Sequence, residues 1–546
     1  MLSRLILLVF GAAAVGTAQP VVHAVENNYS FLFPGLPNYG IAQGSIFALF
    51  GSNFAAEPSA MKAPPLQTSL NGVSVQANVN GVITQALLYY VTPTQIGGIL
   101  PSNTPEGTGT ITVFHGGAAS QAAPIVVVKS AFGILTSDGS GAGPAAAFDA
   151  NATTLSARNS VQPGEVISLW GTGLGPITRD ESTPQPGNLP NLPIEVDIGG
   201  VPATVLYHGR SSYPGLDQIN VTVPGGATGC WVSVVVRTGD LVSNSATIPV
   251  AASGRQCSDP PLGPVQELSG KTAYDTGYIS ATQSNVFIPP TQGAEPALRS
   301  FSSMNAEFEQ VSASTTQQIG YSASSPSPGS CIVRPFSQNP NLIPPPPQPP
   351  PQIPAYLDAG PAVNFVTPDL QLNVPVTKGS VGIYSMSSGT AAILPLNGGT
   401  ISLNNGSGGS YNGDSGSGVG GFALQFYVPP PLVWSNLASI PEIDRSKGLT
   451  VTWTGGDPNG IVLIGGESWG AGFGVQFFCS ALISQGQFTV PASILLAMPA
   501  YEIPSTGGAF PSFSVNAEKF FLFNAPGLDA GLFTAASQNS STVPYK

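Results

Sequence analysis

The stretch "GSIFALFGSNF" (Gly44 to Phe54) returns later in the chain as "GEVISLWGTGL" (Gly164 to Leu174), and the likeness runs on for about a hundred residues beyond each copy. "NGVITQALLYY" (Asn80 to Tyr90) answers "GGVPATVLYHG" (Gly199 to Gly209), and "QIGGILP" (Gln95 to Pro101) answers "QINVTVP" (Gln218 to Pro224). Order and spacing are kept, so one structural unit is used twice. Within the second copy, Val166, Ser168 and Trp170 point one way and Ile167 and Leu169 the other, the period of two that marks a strand. Both faces carry bulk, which predicts a strand inside a sheet.

The rest of each unit is punctuated in the same way. "PIEVDIGGVPATVLY" reads as a hairpin turning at Gly199-Gly200, because both central residues need positive φ and glycine adopts it without steric cost. Asn80-Gly81 does the same in the first copy. "QINVTVP", "WVSVVVR" and "SATIPVA" follow as short alternating strands. Six or seven strands in about a hundred residues predict an immunoglobulin-like sandwich.

Composition agrees with an all-β chain of several domains. Of 546 residues, 42% are hydrophobic and only 8% charged, while 66 glycines and 54 prolines interrupt any long helix. The net charge of −12 comes without a basic run, which excludes nucleic acid as an expected partner. Met1 to Ala24 reads as a signal peptide: Arg4 begins it, "LILLVFGAAAV" is its apolar run, and cleavage points follow Ala18 and Ala24. That run is too short to span a bilayer, and no later segment spans one uninterrupted, so the mature chain is expected to be secreted or held at the cell surface without a transmembrane segment.

An exported chain meets an oxidising compartment, so its four cysteines are expected to pair, and three connectivities are open. The favoured one joins Cys230 to Cys257, tying the strand "CWVSVVV" to the tail of the second unit, and Cys331 to Cys479. No C-x-x-C pair is present and the mature chain has only His115 and His208, so zinc is not expected.

These blocks also carry a resemblance. The strand-turn block, the "GGVPATVLY" hairpin and the "QINVTVP" strand resemble the IPT/TIG immunoglobulin-like domains. Residues 28–252 as a whole resemble an uncharacterised Solibacter-type domain of exported acidobacterial proteins, covering about two fifths of the chain. The resemblance implies an exported, noncatalytic β module that usually stands C-terminal, whereas here it comes first.

The expected organisation is therefore a signal peptide (1–24), a first sandwich (25–130), a second (131–257), a Ser/Thr/Pro-rich segment (258–354) and a larger C-terminal β-sandwich or jelly roll (355–546). "IPPPPQPPPQIP" (Ile343 to Pro354) reads as a polyproline II rod, either a spacer or an insertion within one domain.

Several motifs suggest chemistry. "GESWG" places Ser468 in a G-x-S-x-G pattern, but no helix signal follows and no histidine lies downstream to take a proton. "GDSGSG" sits in a glycine-rich loop, and Glu442 with Asp444 reads as a solvated turn beside Arg445 and Lys447. No enzyme is expected. Calcium is the one ion the loops could take, at Asp457 ("DPNG") and around Asp414, with ordinary Asx turns as the competing reading and no cofactor otherwise. Trp453 shares a face with Leu449 and Val451 and reads as core. Tyr411, Trp434 and Trp469 read as loop aromatics that could stack on a sugar. The leading expectation is an exported, non-enzymatic structural or interaction protein. The alternative is a carbohydrate-binding or adhesive protein with its site in the C-terminal domain and a glycan or surface protein as partner.

Overall fold

Alternation of apolar and polar residues becomes two closed sandwiches in residues 21–250. The computed structural model describes residues 18–259, 266–267, 273–288, 297–312, 318–319, 326–337, 355–367, 371–375, 381–389, 392–409, 418–504 and 509–546. The polyproline stretch, the start of the leader, Tyr411 and Asp414 lie outside them.

In the first copy one sheet runs Val21–Asn27, Ile46–Ser52, Gln95–Ile99, Leu87–Val91, Ser59–Ala60. The second copy repeats that order as Gly133–Ile134, Val166–Thr172, Asp217–Thr222, Thr204–Arg210, Gly187–Asn188. The facing sheets also match: Ile41–Ala42, Ala123–Val128, Gly107–His115, Val73–Val79 against Gly143–Pro144, Ala246–Val250, Gly229–Thr238, Ile194–Ile198. Phe50 pairs with Gln95 and Trp170 with Gln218, so the repeated sequence blocks occupy equivalent places. The hairpins turn where expected, with φ of 52° and 79° at Asn80-Gly81 and 61° and 72° at Gly199-Gly200. Phe47 and Leu49 fill the first core, Ile167 and Leu169 the second, and all four are fully buried.

The strand Val21–Asn27 bears on the two expected cleavage points. It pairs with Ile46–Ser52, and Ala24 to Asn27 are buried. Cleavage after Ala24 would cut this strand in two, whereas cleavage after Ala18 leaves it whole.

The two sandwiches meet through buried polar contacts. Arg210 forms an ion pair with Asp217 and donates to Gly44 O (3.0 Å) and Gly175 O (2.5 Å). Asp217 also accepts from the amides of Gly173 (2.7 Å) and Leu174 (2.8 Å). Thr172 Oγ1 links the two copies, accepting from Ile46 N at 2.9 Å.

The C-terminal half is a larger sandwich, and its membership differs from expectation. A nine-stranded sheet runs Cys331–Ser337, Phe473–Leu482, Ile461–Gly470, Ser512–Phe523, Ala530–Thr542, Ala273–Ile288, Ala297–Ser312, Ala355–Tyr356, with Ile383–Gly389 also on Ala297–Ser312. Three of these strands come from the Ser/Thr/Pro-rich segment (258–354) expected as either a spacer or an insertion within one domain, so the sandwich takes strands from before residue 355. The cause is long-range pairing: Thr276 to Phe287 lie parallel to Ala530 to Ser541, a partnership no local pattern reveals. Two smaller sheets cover one face of the large one. Val363, Phe365, Ile401 and Leu403 pack on Ile279, Phe308 and Phe533, while Val451 and Trp453 belong to the core containing Val475, Phe477, Phe513 and Val515. Trp453 is buried, as its face predicted.

Both favoured disulfides are present, Cys230–Cys257 and Cys331–Cys479. The second joins directly opposed residues of adjacent antiparallel strands. A segment of the first repeat also enters the C-terminal core: Leu32, Phe33 and Leu36 are buried there, with Phe33 edge-on to Phe473 at 5.3 Å. Among the described residues no helix is long and apolar enough to cross a membrane.

Candidate functional site

Of the residues proposed from sequence as a sugar platform, Tyr411 lies outside the described residues, and Trp434 and Trp469 do not form an exposed platform. Trp434 is 5% exposed, packs on Phe513 at 5.4 Å, and its indole donates to Asn436 Oδ1 at 3.0 Å. Its placement in a loop is thus corrected: a bulky ring in an apolar run goes to the core. Trp469 lies within the strand Ile461–Gly470, half-buried, edge-on to Phe336 at 5.3 Å. Its neighbour Ser468 faces inward, fully buried, and donates to Pro499 O at 2.7 Å. That G-x-S-x-G serine is a strand residue with a satisfied hydroxyl.

The proposed acidic sites are also occupied. Asp444 is held to about pKa 2 by the Lys447 ammonium and Ser446, in an exposed turn. Asp457 pairs with Lys519 at 2.5 Å and accepts from Asn459 N at 3.0 Å, an Asx turn whose charge is already neutralised. Among the described residues no three His, Cys, Asp or Glu side chains cluster as metal ligands.

A groove of about 720 Å3 instead opens on the second repeat. The same alternation that buries Ile167 and Leu169 turns Ser168 and Trp170 outward, and the adjacent strand turns Gln218 and Asn220 outward beside them. These four side chains form the floor. Ser168 Oγ donates to Asn220 Oδ1 at 3.0 Å, and Gln218 Nε2 donates to the same oxygen at 2.7 Å. One wall is Phe148, paired with Ser168 across the sheet and edge-on to Trp170 at 6.3 Å. The other is the 212–216 turn, where Tyr213 is 61% exposed.

Two features of the groove bear on its chemistry. The Trp170 indole N–H is buried with no protein acceptor among the described residues, an unusual state for a polar group. The one carboxylate, Asp149, accepts from the amides of Thr153 and Asn151, both at 2.9 Å, and these bonds hold its pKa below the usual carboxylate value. Rings and amides make a surface that can bind.

A second cavity of about 470 Å3 lies where both repeats and the C-terminal sandwich meet. Several of its polar groups are engaged, since Asn244 Nδ2 donates to Ile134 O and Gly141 O, Asn38 Nδ2 to Val242 O, and Asp138 accepts from Ser140, while the buried Thr247 hydroxyl has no partner among the described residues. The groove is the stronger candidate.

Sequence reading found the alternation of "VISLW" but not the groove. Phe148 and Tyr213 are distant in sequence from Trp170, and no local signal predicts that this face stays uncovered.

No protein-family model and no curated protein matches the chain. Among solved structures it is similar to two plexin A4 extracellular regions, at 15% and 10% identity, covering 42% and 86% of this chain, each with TM-score 0.17. It spans 19% and 29% of those chains. It is also similar to SGBP-B from a complex xyloglucan utilization locus in Bacteroides uniformis (9% identity, 68% of this chain and 87% of that one, TM-score 0.16). A further similarity is to the Escherichia coli adhesin FdeC (12% identity, 76% and 99%, TM-score 0.12). Likenesses this slight carry no argument about function.

Proposed function

We propose that this chain is an exported, non-enzymatic β-sandwich protein with a structural and interaction role, and that the groove over Trp170 is its interaction surface. The observation that carries the reading is the make-up of that groove: Trp170, Phe148 and Tyr213 supply contact area, Ser168, Gln218 and Asn220 supply hydrogen bonds, and the lone carboxylate is tied to backbone amides. Export is supported by the leader-like N-terminus and by two disulfides, which persist in oxidising compartments. The resemblance of residues 28–252 to the Solibacter-type domain of exported proteins agrees with it.

The test uses the full chain secreted from its own precursor. N-terminal sequencing should find a mature start at Gln19, since a start at Val25 would break the first strand. The oxidised protein should be retained saturably on isolated cell envelopes or extracellular matrix and should turn over no ester, peptide or glycoside substrate. Retention that is unchanged in Trp170→Ala, or turnover lost with Ser468→Ala or Glu442→Gln, would overturn the reading.

A further inference from the structure

The internal repeat allows the groove to be compared with a copy of itself whose occupant is known. In the first repeat the equivalent face carries Ile46, Ala48, Phe50, Gln95, Gly97 and Ile99, and protein covers most of it: Ile46, Ala48, Gly97 and Ile99 are buried, Phe50 and Gln95 half-buried. Gly215 of the second repeat sits so close that a Cβ there would stand 2.9 Å from Ile46 and 3.0 Å from Ile99. Tyr89 Oη beside it donates to Pro214 O at 2.5 Å. Even Gly97 is roofed from within, since a Cβ on it would lie 2.3 Å from the Tyr90 ring. Where this face receives protein it is apolar, with small residues that permit close approach.

The second repeat keeps the backbone and changes the surface. Pairing places Ser168 where the first copy has Ala48, Asn220 where it has Gly97, and Thr222 where it has Ile99, while Gln218 repeats Gln95 and Trp170 replaces Phe50. Three positions that were apolar or bare now carry hydrogen-bonding groups, and the ring has gained area and an N–H. Ser168, Gln218 and Asn220 bond one another, but an apolar protein surface would still leave their remaining donors and acceptors unpaired on burial, at a cost for each. A ligand rich in hydroxyls would pair them.

We infer that the groove takes a neutral glycan, with the C–H face of a hexopyranose ring against Trp170 and its hydroxyls on the Ser168, Gln218 and Asn220 side chains; this rests on reading the groove as the interaction surface. The ring faces of indoles are electron-rich and attract the weakly positive C–H groups on one side of a pyranose. Asn220 Oδ1 already accepts twice, which holds its amide in place, and no acceptor on protein is recorded for its Nδ2 among the described residues. Neutral rather than acidic glycan follows from charge: Asp149 borders the groove, its amide bonds keep it ionised, and the chain carries −12 overall.

Affinity electrophoresis and calorimetry on the full oxidised chain would test this, with soluble xyloglucan, mixed-linkage glucan, galactomannan and xylan as neutral probes and polygalacturonate as the acidic control. At least one neutral probe should bind, with Trp170→Ala weakening it about tenfold or more, Trp170→Phe less, and Asn220→Ala several-fold. Trp469→Phe should leave it unchanged. The acidic control should not bind. Binding of no neutral probe, or binding that ignores Trp170 and Asn220, overturns the assignment. If Trp170-dependent retention on cell envelopes survives that result, the ligand class is wrong and the interaction surface stands; if both fail, the interaction reading falls with it.

Discussion

Removing the Cys331–Cys479 bridge should destabilise the fold more than removing Cys230–Cys257. The bridges close loops with sequence separations of 148 and 27. In the chain-entropy description, a crosslink of the first length restricts the unfolded chain by about 5 kcal/mol at 25 °C and one of the second by about 3.5 kcal/mol. Replacing each pair by alanine also removes two sulfur atoms, both buried in the Cys331–Cys479 pair and one of two in the Cys230–Cys257 pair, so any packing loss adds to the same ordering. Ring length alone accounts for a difference of about 1.5 kcal/mol between the variants. Because the bridges lie in different parts of a multidomain chain, a single global transition would mix them. Native-state hydrogen exchange separates them, reading opening free energies in Cys331–Ser337 and Phe473–Leu482 for one bridge and in Gly229–Thr238 for the other. Cys331–Ser337 lies at the edge of the nine-stranded sheet, so its amides should lose protection first. If the shorter bridge proves equally or more costly to remove, ring length is not what sets these contributions, and the argument is refuted.

Arg210→Met should cost about 3–5 kcal/mol, because it strands the fully buried Asp217 carboxylate and two backbone carbonyls at the junction of the repeats. A loss under about 1 kcal/mol in chemical denaturation would show that the ion pair contributes little. Glu518 gives a pH signature, since burial pushes its carboxyl up to about 7. The folded state then keeps a proton that the unfolded state releases, so this group's contribution is present below about pH 4.5 and is lost as pH rises to about 7. Glu518→Gln should remove that decline, gaining on the order of 2 kcal/mol over the wild type at pH 8 relative to pH 4.5, toward the low end because the side chain keeps some solvent access; parallel stability profiles for the two proteins would refute it.

How far the site was legible can be argued from Trp170 and Trp434. Both stand at the end of short apolar runs, and each offers an indole that could be core or platform. For Trp170 the alternation placed it on the face opposite Ile167 and Leu169 without saying which face is core, and the structure buries Ile167 and Leu169 and leaves the Trp170 face open. For Trp434 the flanking prolines and asparagine suggested a loop, yet the ring is buried against Phe513. Local pattern assigns a side to a residue within a strand. It does not say what lies on that side.

By itself the sequence determined the all-β character and the doubled sandwich with its Asn80-Gly81 and Gly199-Gly200 turns, because these depend on short-range stereochemistry and on a repeat that can be aligned with itself. Only the tertiary structure decided that residues 273–312 and 331–337 complete the C-terminal sheet, that Phe33 is buried in that distant core, and that the same sheet face is covered in one repeat and open in the other. Those outcomes depend on contacts between segments hundreds of residues apart. Burial there is set by which surfaces meet, and no window of local sequence contains both partners.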